Sequence, residues 1–275
     1  MGGTQRKLCL HQLEVMQLSD SIFRPLIEDM VWSFSRIECF NDCPYRWFLK
    51  YIKKIQETPQ FYSSYGSFMH KLIEQFYKGE LTREEMQTKF LFDFSKEVQG
   101  IRPQESTVQK YIKAGLDYLK HFEPFPFEMV AVEEKVEFEI DGTPFVGYID
   151  YHGIKDGEHY IVDNKSRDLK PRSNRKTPTV KDKELDEMLR QLYIYSAAIK
   201  QKYGKFPKAL CFNCFKTGTF IEEPFNEDAY NEAIEWAKKN IEDIKNADDF
   251  YPNREFFSCY YICGVSDDCC YWEAR

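Results

Sequence analysis

The sequence has no run of about 18 apolar residues, so no segment is expected to cross a membrane as a helix. Met1 to Leu18 lacks the basic-then-apolar order of a secretion signal. Nine cysteines without such a signal set the expectation of a reducing cytoplasm, bacterial, archaeal or phage-infected, and not of a disulfide-stapled secreted protein. Positive charge is also short. A formal charge of -7 excludes a protein that coats nucleic acid by charge alone, while leaving room for a local basic track. Disorder is excluded by composition: 43% hydrophobic and 16% aromatic residues in a chain of 275 suffice for one large domain or two small ones.

What is present is organised around Val146-Gly147-Tyr148-Ile149-Asp150 and Tyr160-Ile161-Val162-Asp163-Asn164-Lys165. Each is a short apolar run ending in a carboxylate, which predicts a buried strand. Their connector holds Asp156-Gly157, a hairpin turn signal, so the hairpin brings Asp150 beside Asp163. Lys165 lies two residues on, and therefore on the face of Asp163. Two carboxylates and an ammonium at the ends of apolar strands are costly without a role. Converging carboxylates repel unless a cation sits between them. Oxygen ligands with room for water suit magnesium or manganese, and a lysine beside such an ion can orient water and offset charge in a transition state. Taken alone, a surface hairpin with ordinary charges accounts for the same residues.

Elsewhere the chain reads mainly as helix. Ser33 or Ser35 caps a helix running to about Ile55 and interrupted at Pro44. Ser64 to Lys78 forms a second, closed by Gly79, with His70, Ile73, Glu74 and Tyr77 on one face. Thr82 to Lys96, opened by a Thr82/Glu85 capping box, and Gln104 to His121 are two more. Met129 to Ile140 alternates in its second half and predicts a strand with one solvated side, on which Glu133, Glu134, Glu137 and Glu139 are solvated charges. Asp141-Gly142 turns it into the strand ending at Asp150. Leu185 to Tyr203 is a helix that stacks Gln191 and Tyr195 on one face. A strand pair follows around Thr217-Gly218, with Cys211 and Cys214 as core residues facing opposite sides, and then an amphipathic helix from Asp228 to Ile244. Between Lys165 and Leu185 the chain is rich in Arg and Lys, and Pro171 and Pro178 mark a loop. It is either a solvated loop or a phosphate-gripping flap that uses Arg172, Arg175 and Lys176. Ser166 and Arg167, next to Lys165, stand close enough to touch the same phosphate.

Gly147-x-x-Asp150, Asp163-x-Lys165 and Gln191-x-x-x-Tyr195 resemble the core of the PD-(D/E)XK nucleases, in their RecB-like exonuclease branch. Gly66-Ser67-Phe68-Met69-His70 resembles that branch's helix-borne histidine. Trp32 to Ile37 and Cys43 to Phe48 resemble its N-terminal helix signature. Ile149 stands where the family's leading proline would precede Asp150. The tail, Cys259-x3-Cys263-x5-Cys269-Cys270, is no standard zinc finger. It is similar to the cysteine tail of the iron–sulfur members, which include the AddB helicase-nuclease subunit and the CRISPR adaptation nucleases.

The resemblance implies an α/β restriction-endonuclease-like core, a mixed central sheet flanked by helices. It implies an N-terminal extension over 1–30, a nuclease domain over 31–250 with a helical insertion at 64–122, and a cysteine-cluster tail over 251–275. It further implies Mg2+ or Mn2+ bound by His70, Asp150, Asp163 and the backbone carbonyl of Asn164, with Lys165 positioning water. Asp150, Asp163 and Lys165 are the expected catalytic residues, and Gln191 and Tyr195 the expected contacts to the nucleic acid backbone. Cys43, Cys259, Cys263 and Cys269 would hold a 4Fe–4S cluster, with Zn2+ as the alternative and Cys270 competing with Cys269 as last ligand. The implied activity is DNA hydrolysis, with single strands or duplex ends as substrate, in replication, recombination or repair, beside a helicase, recombination or replication protein. A non-catalytic DNA-binding or assembly subunit and an RNA-directed nuclease are the alternatives.

Overall fold

Two Asp-Gly dipeptides fold the first three strands. A computed structural model describes residues 23–272, so the extension expected over 1–30 falls mostly outside the described residues. Strands β1 (Glu128–Ile140), β2 (Thr143–Lys155) and β3 (Glu158–Lys165) are joined by Asp141-Gly142 and Asp156-Gly157. All four turn residues are left-handed, with φ of 48° and 77° at the first turn and 53° and 75° at the second. That is the tight turn whose twist matches a hairpin, and Asp and Gly adopt it at low cost. The antiparallel ladders close on Ile140 opposite Thr143 and Lys155 opposite Glu158. β4 (Ala209–Cys214) then runs parallel to β3, and β5 (Thr219–Pro224) antiparallel to β4, giving a five-stranded mixed sheet in the order β1-β2-β3-β4-β5.

The helices, in chain order, are α1 (Arg24–Glu28), α2 (Phe34–Asp42), α3 (Pro44–Trp47), α4 (Phe61–Tyr77), α5 (Arg83–Glu97), α6 (Glu105–His121), α7 (Val180–Tyr203) and α8 (Glu227–Lys245). Their ends follow local chemistry. Ser33 Oγ accepts the Arg36 N–H and opens α2, and Pro44 occupies the first turn of α3, where its missing N–H costs nothing. Thr82 and Glu85 form the expected capping box of α5. α7 starts five residues before Leu185, because Thr179 and Asp182 make a second capping box, and it stops at left-handed Gly204. The β3–β4 connection is longer than a hairpin because these strands are parallel, and α7 is the crossover between them.

The described chain divides into two compact units. One is Pro59–Trp236 and contains the sheet. Its core is built from the apolar faces of α4, α5 and α6, with Phe68 stacked on Phe90 at 5.7 Å, and from Tyr151, Val162 and Cys211 on the sheet. The other unit is made from both ends of the chain, up to Thr58 and from Ala237 on. There Phe250 stacks on Trp47 and Phe48, at 5.6 and 5.1 Å between ring centroids. The Thr58 N–H donates to the Gly264 carbonyl at 2.7 Å. A Cβ on Gly264 would stand 2.8 Å from both Thr58 O and Glu57 Cβ, so glycine alone permits this approach.

Candidate active site

The second hairpin sets the site. β2 and β3 pair from Lys155 opposite Glu158 up to Tyr151 opposite Val162. One step further the Asp150 carboxylate accepts the Asn164 N–H, at 2.7 Å, in place of a backbone partner. Asp150 and Asp163 thus lie side by side, 8% and 4% exposed. Asp163 Oδ2 lies 2.8 Å from Lys165 Nζ, two residues along the same strand face. The geometry is an ion contact, and this buried oxygen accepts no hydrogen bond among the described residues. Lys165 Nζ donates to Gln191 Oε1 on α7 at 2.9 Å, and the Tyr195 hydroxyl, one helical turn on, bonds Gln191 and the backbone of Tyr148.

His70, on α4, closes the group. Its Nε2 donates to the Asn164 carbonyl at 2.9 Å, since a carbonyl can only accept. Nδ1 then faces Asp150 Oδ2 at 3.3 Å and Glu133 Oε1 at 3.8 Å. Burial disfavours a charged imidazole here, but Glu133, Asp150 and Asp163 outweigh it and hold the His70 pKa up at about 9. Burial, and next Asp163, push the Asp150 carboxyl above its ordinary value, against the pull of His70 and the Asn164 N–H. The group therefore keeps a proton at neutral pH.

Glu133 corrects the expectation of a solvated charge. It takes a left-handed backbone, φ 49°, within β1, where the register with β2 runs unshifted from Val132 to Glu134, and both Glu133 and Glu134 make contacts with histidines. Glu133 faces His70, and Glu134 reaches the fully buried His152 at 3.5 Å and pairs with Lys202 of α7. Glu137 remains exposed and pairs with Lys135, as expected of a solvated glutamate. No local signal other than the adjacency of two glutamates marks this left-handed position. His70, Glu133 and Asp150 each offer a ligand atom, all within 4.8 Å of one another. With Asp163 beside them, its Oδ2 in ion contact with Lys165 but accepting no hydrogen bond among the described residues, this mixed oxygen and imidazole set fits a hard divalent cation.

The loop between β3 and α7 is tied at several points. Asp182 accepts the Ser173 N–H, the Ser173 hydroxyl and the Thr179 N–H, which holds its carboxyl well below the ordinary carboxylate range. Leu169 is buried. Arg172, one of the expected phosphate grips, has its guanidinium bound to Asp186 at 2.6 Å and Glu223 at 2.8 Å. Lys170 and Lys181 pair with Asp168 and Glu184. Arg175 and Lys176 are exposed on the loop, and Arg167 is exposed two residues beyond Lys165.

In the unit built from the chain ends, Cys43, Cys259, Cys263 and Cys269 are free thiols, whereas Cys270 is disulfide-bonded. Cys43 caps α3, its sulfur 3.4 Å from the Arg46 N–H. Burial raises the thiol of Cys263 to about 11, and those of Cys259 and Cys269 also upward. Cys43 adds to all three, Cys269 adds to Cys263, and Cys259 adds to Cys269. Among the described residues no three of these sulfurs lie within 4.8 Å of one another, as the ligand atoms of His70, Glu133 and Asp150 do. Cys211 and Cys214 are buried in the sheet, as core residues.

A family model for the PD-(D/E)XK nuclease superfamily matches residues 31–270. No curated protein matches the chain. A solved structure from Eubacterium rectale, named "Putative exonuclease", is 14% identical with a TM-score of 0.49, over 98% of this chain and 93% of that one. The structure of SSO0001 is 14% identical with a TM-score of 0.36, over 96% and 98% of the two chains.

Proposed function

The chain belongs to the PD-(D/E)XK nuclease superfamily, and from that membership we propose that it is a divalent-metal-dependent DNA nuclease of the exonuclease kind. The observation that carries this reading is the convergence of His70, Glu133 and Asp150 within 4.8 Å, beside the Asp163–Lys165 ion contact. His70, Asp150 and Asp163, with Glu133 added, would hold Mg2+ or Mn2+. The Asn164 carbonyl would join them once His70 Nε2 lets it go. When bound, the cation neutralises phosphate charge and lowers the pKa of water.

The chain's own residues do the positioning. Lys165 is held between Asp163 and Gln191, so its ammonium has a fixed place from which to orient water and oppose charge on the phosphate. Tyr195 fixes Gln191, and both face the backbone of the bound strand. Arg167, Arg175 and Lys176 supply phosphate contacts that carry no sequence information.

Four thiols that repel one another when charged are stabilised by a shared cationic centre, which reverses the sign of the interaction. Cys43, Cys259, Cys263 and Cys269 would hold a 4Fe–4S cluster in this way, or a zinc ion.

Labelled single- and double-stranded DNA and RNA, incubated with and without Mn2+, test the reading. Cleavage of DNA that needs the metal and is lost in Lys165→Ala is the expected result. DNA binding without cleavage would make the chain an assembly subunit, and cleavage confined to RNA would change the substrate.

A further inference from the structure

On the other side of Asn164 lies a cavity of about 700 Å³, open to solvent and separate from the site above. Its floor is Asn213 of β4, which is 4% exposed. The Asn213 amide nitrogen donates to the Tyr118 hydroxyl and to Asn164 Oδ1, each at 2.6 Å. With both amide protons committed, Asn213 has only an acceptor left to offer. One wall is apolar, with Phe125 and Phe220 at 5.6 Å between ring centroids and their planes tilted by 39°. The rim carries three lysines: Lys110 and Lys113, three apart on α6, and Lys216 on the β4–β5 turn, whose ammonium also lies over the Tyr111 ring at 4.7 Å and bonds its hydroxyl at 3.4 Å. Glu123, which also lines the cavity, is engaged by Arg83 at 3.2 Å, so Asp117 is the carboxylate that opposes them.

We propose that this cavity is a nucleotide subsite, taking a nucleoside phosphate with its base against Phe125 and Phe220 and its phosphate against Lys110, Lys113 and Lys216. Each part of the ligand answers one feature. A flat ring stacks on the exposed face of Phe220, with Phe125 behind it. A phosphate satisfies convergent ammoniums. An N–H on the edge of the base meets the acceptor of Asn213. The volume is ordinary for a small-ligand site. Asn213 also joins the cavity to Asn164, whose N–H holds Asp150, so an occupant bonded to Asn213 lies three hydrogen bonds from the metal-binding group. The nucleotide could be free, or could be one residue of a bound strand, and the chemistry is the same.

The test is equilibrium binding to the full chain in EDTA, which removes cleavage from the readout and makes the result independent of the nuclease reading. dAMP should bind saturably, and inorganic phosphate or deoxyadenosine at least tenfold more weakly. Lys113→Ala and Phe220→Ala should each weaken dAMP at least tenfold. Both side chains are exposed, so unchanged thermal unfolding should show that the fold is intact. Asp163→Asn should bind dAMP as the wild type does. Displacement of dAMP by a five-nucleotide single strand would identify the source as the strand. Failure to displace it would identify a free nucleotide. No saturable binding of dAMP or the strand, wild-type binding by both cavity variants, or phosphate binding as tightly as dAMP would each overturn the proposal.

Discussion

Gly147 lies flat against the ring of Tyr195: a Cβ added there would stand 2.5 Å from a ring carbon. The glycine of one motif is thus the space occupied by the tyrosine of another, and the contact docks α7 on β2. Gly147→Ala should overpack this contact and cost about 1–3 kcal/mol of stability. Because α7 carries Gln191 to Lys165, cleavage should fall further than stability explains. Thermal unfolding and cleavage rates, compared in Gly147→Ala with and without Tyr195→Leu, check this. Failure of the smaller side chain to recover stability would exclude the steric cause.

Glu133 and Glu137 lie four residues apart on one strand and differ in kind. Glu133→Gln should weaken Mn2+ binding roughly 10–100-fold, the cost typical of residues that support or orient a metal site. Glu137→Gln, exposed and paired only with Lys135, should change nothing. Calorimetric Mn2+ titration of the two variants decides it, and equal affinities would return Glu133 to the solvated class.

Metal binding should release a proton. His70 is held protonated up to about 9, and a ligand imidazole must be neutral, so cation and proton compete. Mn2+ affinity should therefore rise with pH, by up to ~tenfold per unit between about 6 and 9, and level off above. The raised Asp150 carboxyl acts in the same direction. Titrations in buffers of different ionisation enthalpy count the protons, and a count of zero would remove His70 from the ligand set.

The loop after β3 divides into committed and uncommitted cations. Arg175→Ala with Lys176→Ala should lower the log–log salt slope of duplex binding by up to ~1.8, at about 0.9 per phosphate contact. Adding Arg172→Ala should not lower it further, because Asp186 and Glu223 already hold that guanidinium. An unchanged slope in the double variant would leave the segment a solvated loop.

The cysteine site predicts a colour. Anaerobically purified protein should be brown, and Cys43→Ser should lose the chromophore and unfold at lower temperature. Cys211→Ser, in the sheet core, should keep it. Colourless protein with one equivalent of zinc would replace the cluster with zinc, and thiols that titrate freely would remove the metal.

Much of the fold was legible because it rests on local chemistry. Asp141-Gly142 and Asp156-Gly157 specify their turns within two residues, and Thr82 with Glu85 specifies a helix start within four. The shared face of Asp163 and Lys165 follows from strand geometry. The early start of α7 was equally local, in Thr179 and Asp182, but the surrounding basic residues and prolines masked it as loop. Two other features were not local. The left-handed backbone at Glu133 has no marker in the sequence, and alternation along β1 predicts the opposite orientation. The fate of Arg172 depends on Glu223, on a strand about 50 residues away. Charge counts along a segment cannot show which cations a distant strand has already taken.

The unit assembled from both chain ends has a consequence for synthesis. Cys43 leaves the ribosome about 200 residues before Cys259, Cys263 and Cys269, a wait of roughly 10–40 s at ~5–20 residues per second. Pro59–Trp236 is complete before that wait ends, so the sheet can form while Cys43 is still an isolated thiol. A metal held by Cys43 and the tail cysteines would therefore be the last part of the molecule to be completed, at a time set by translation speed and by the redox state around the nascent chain.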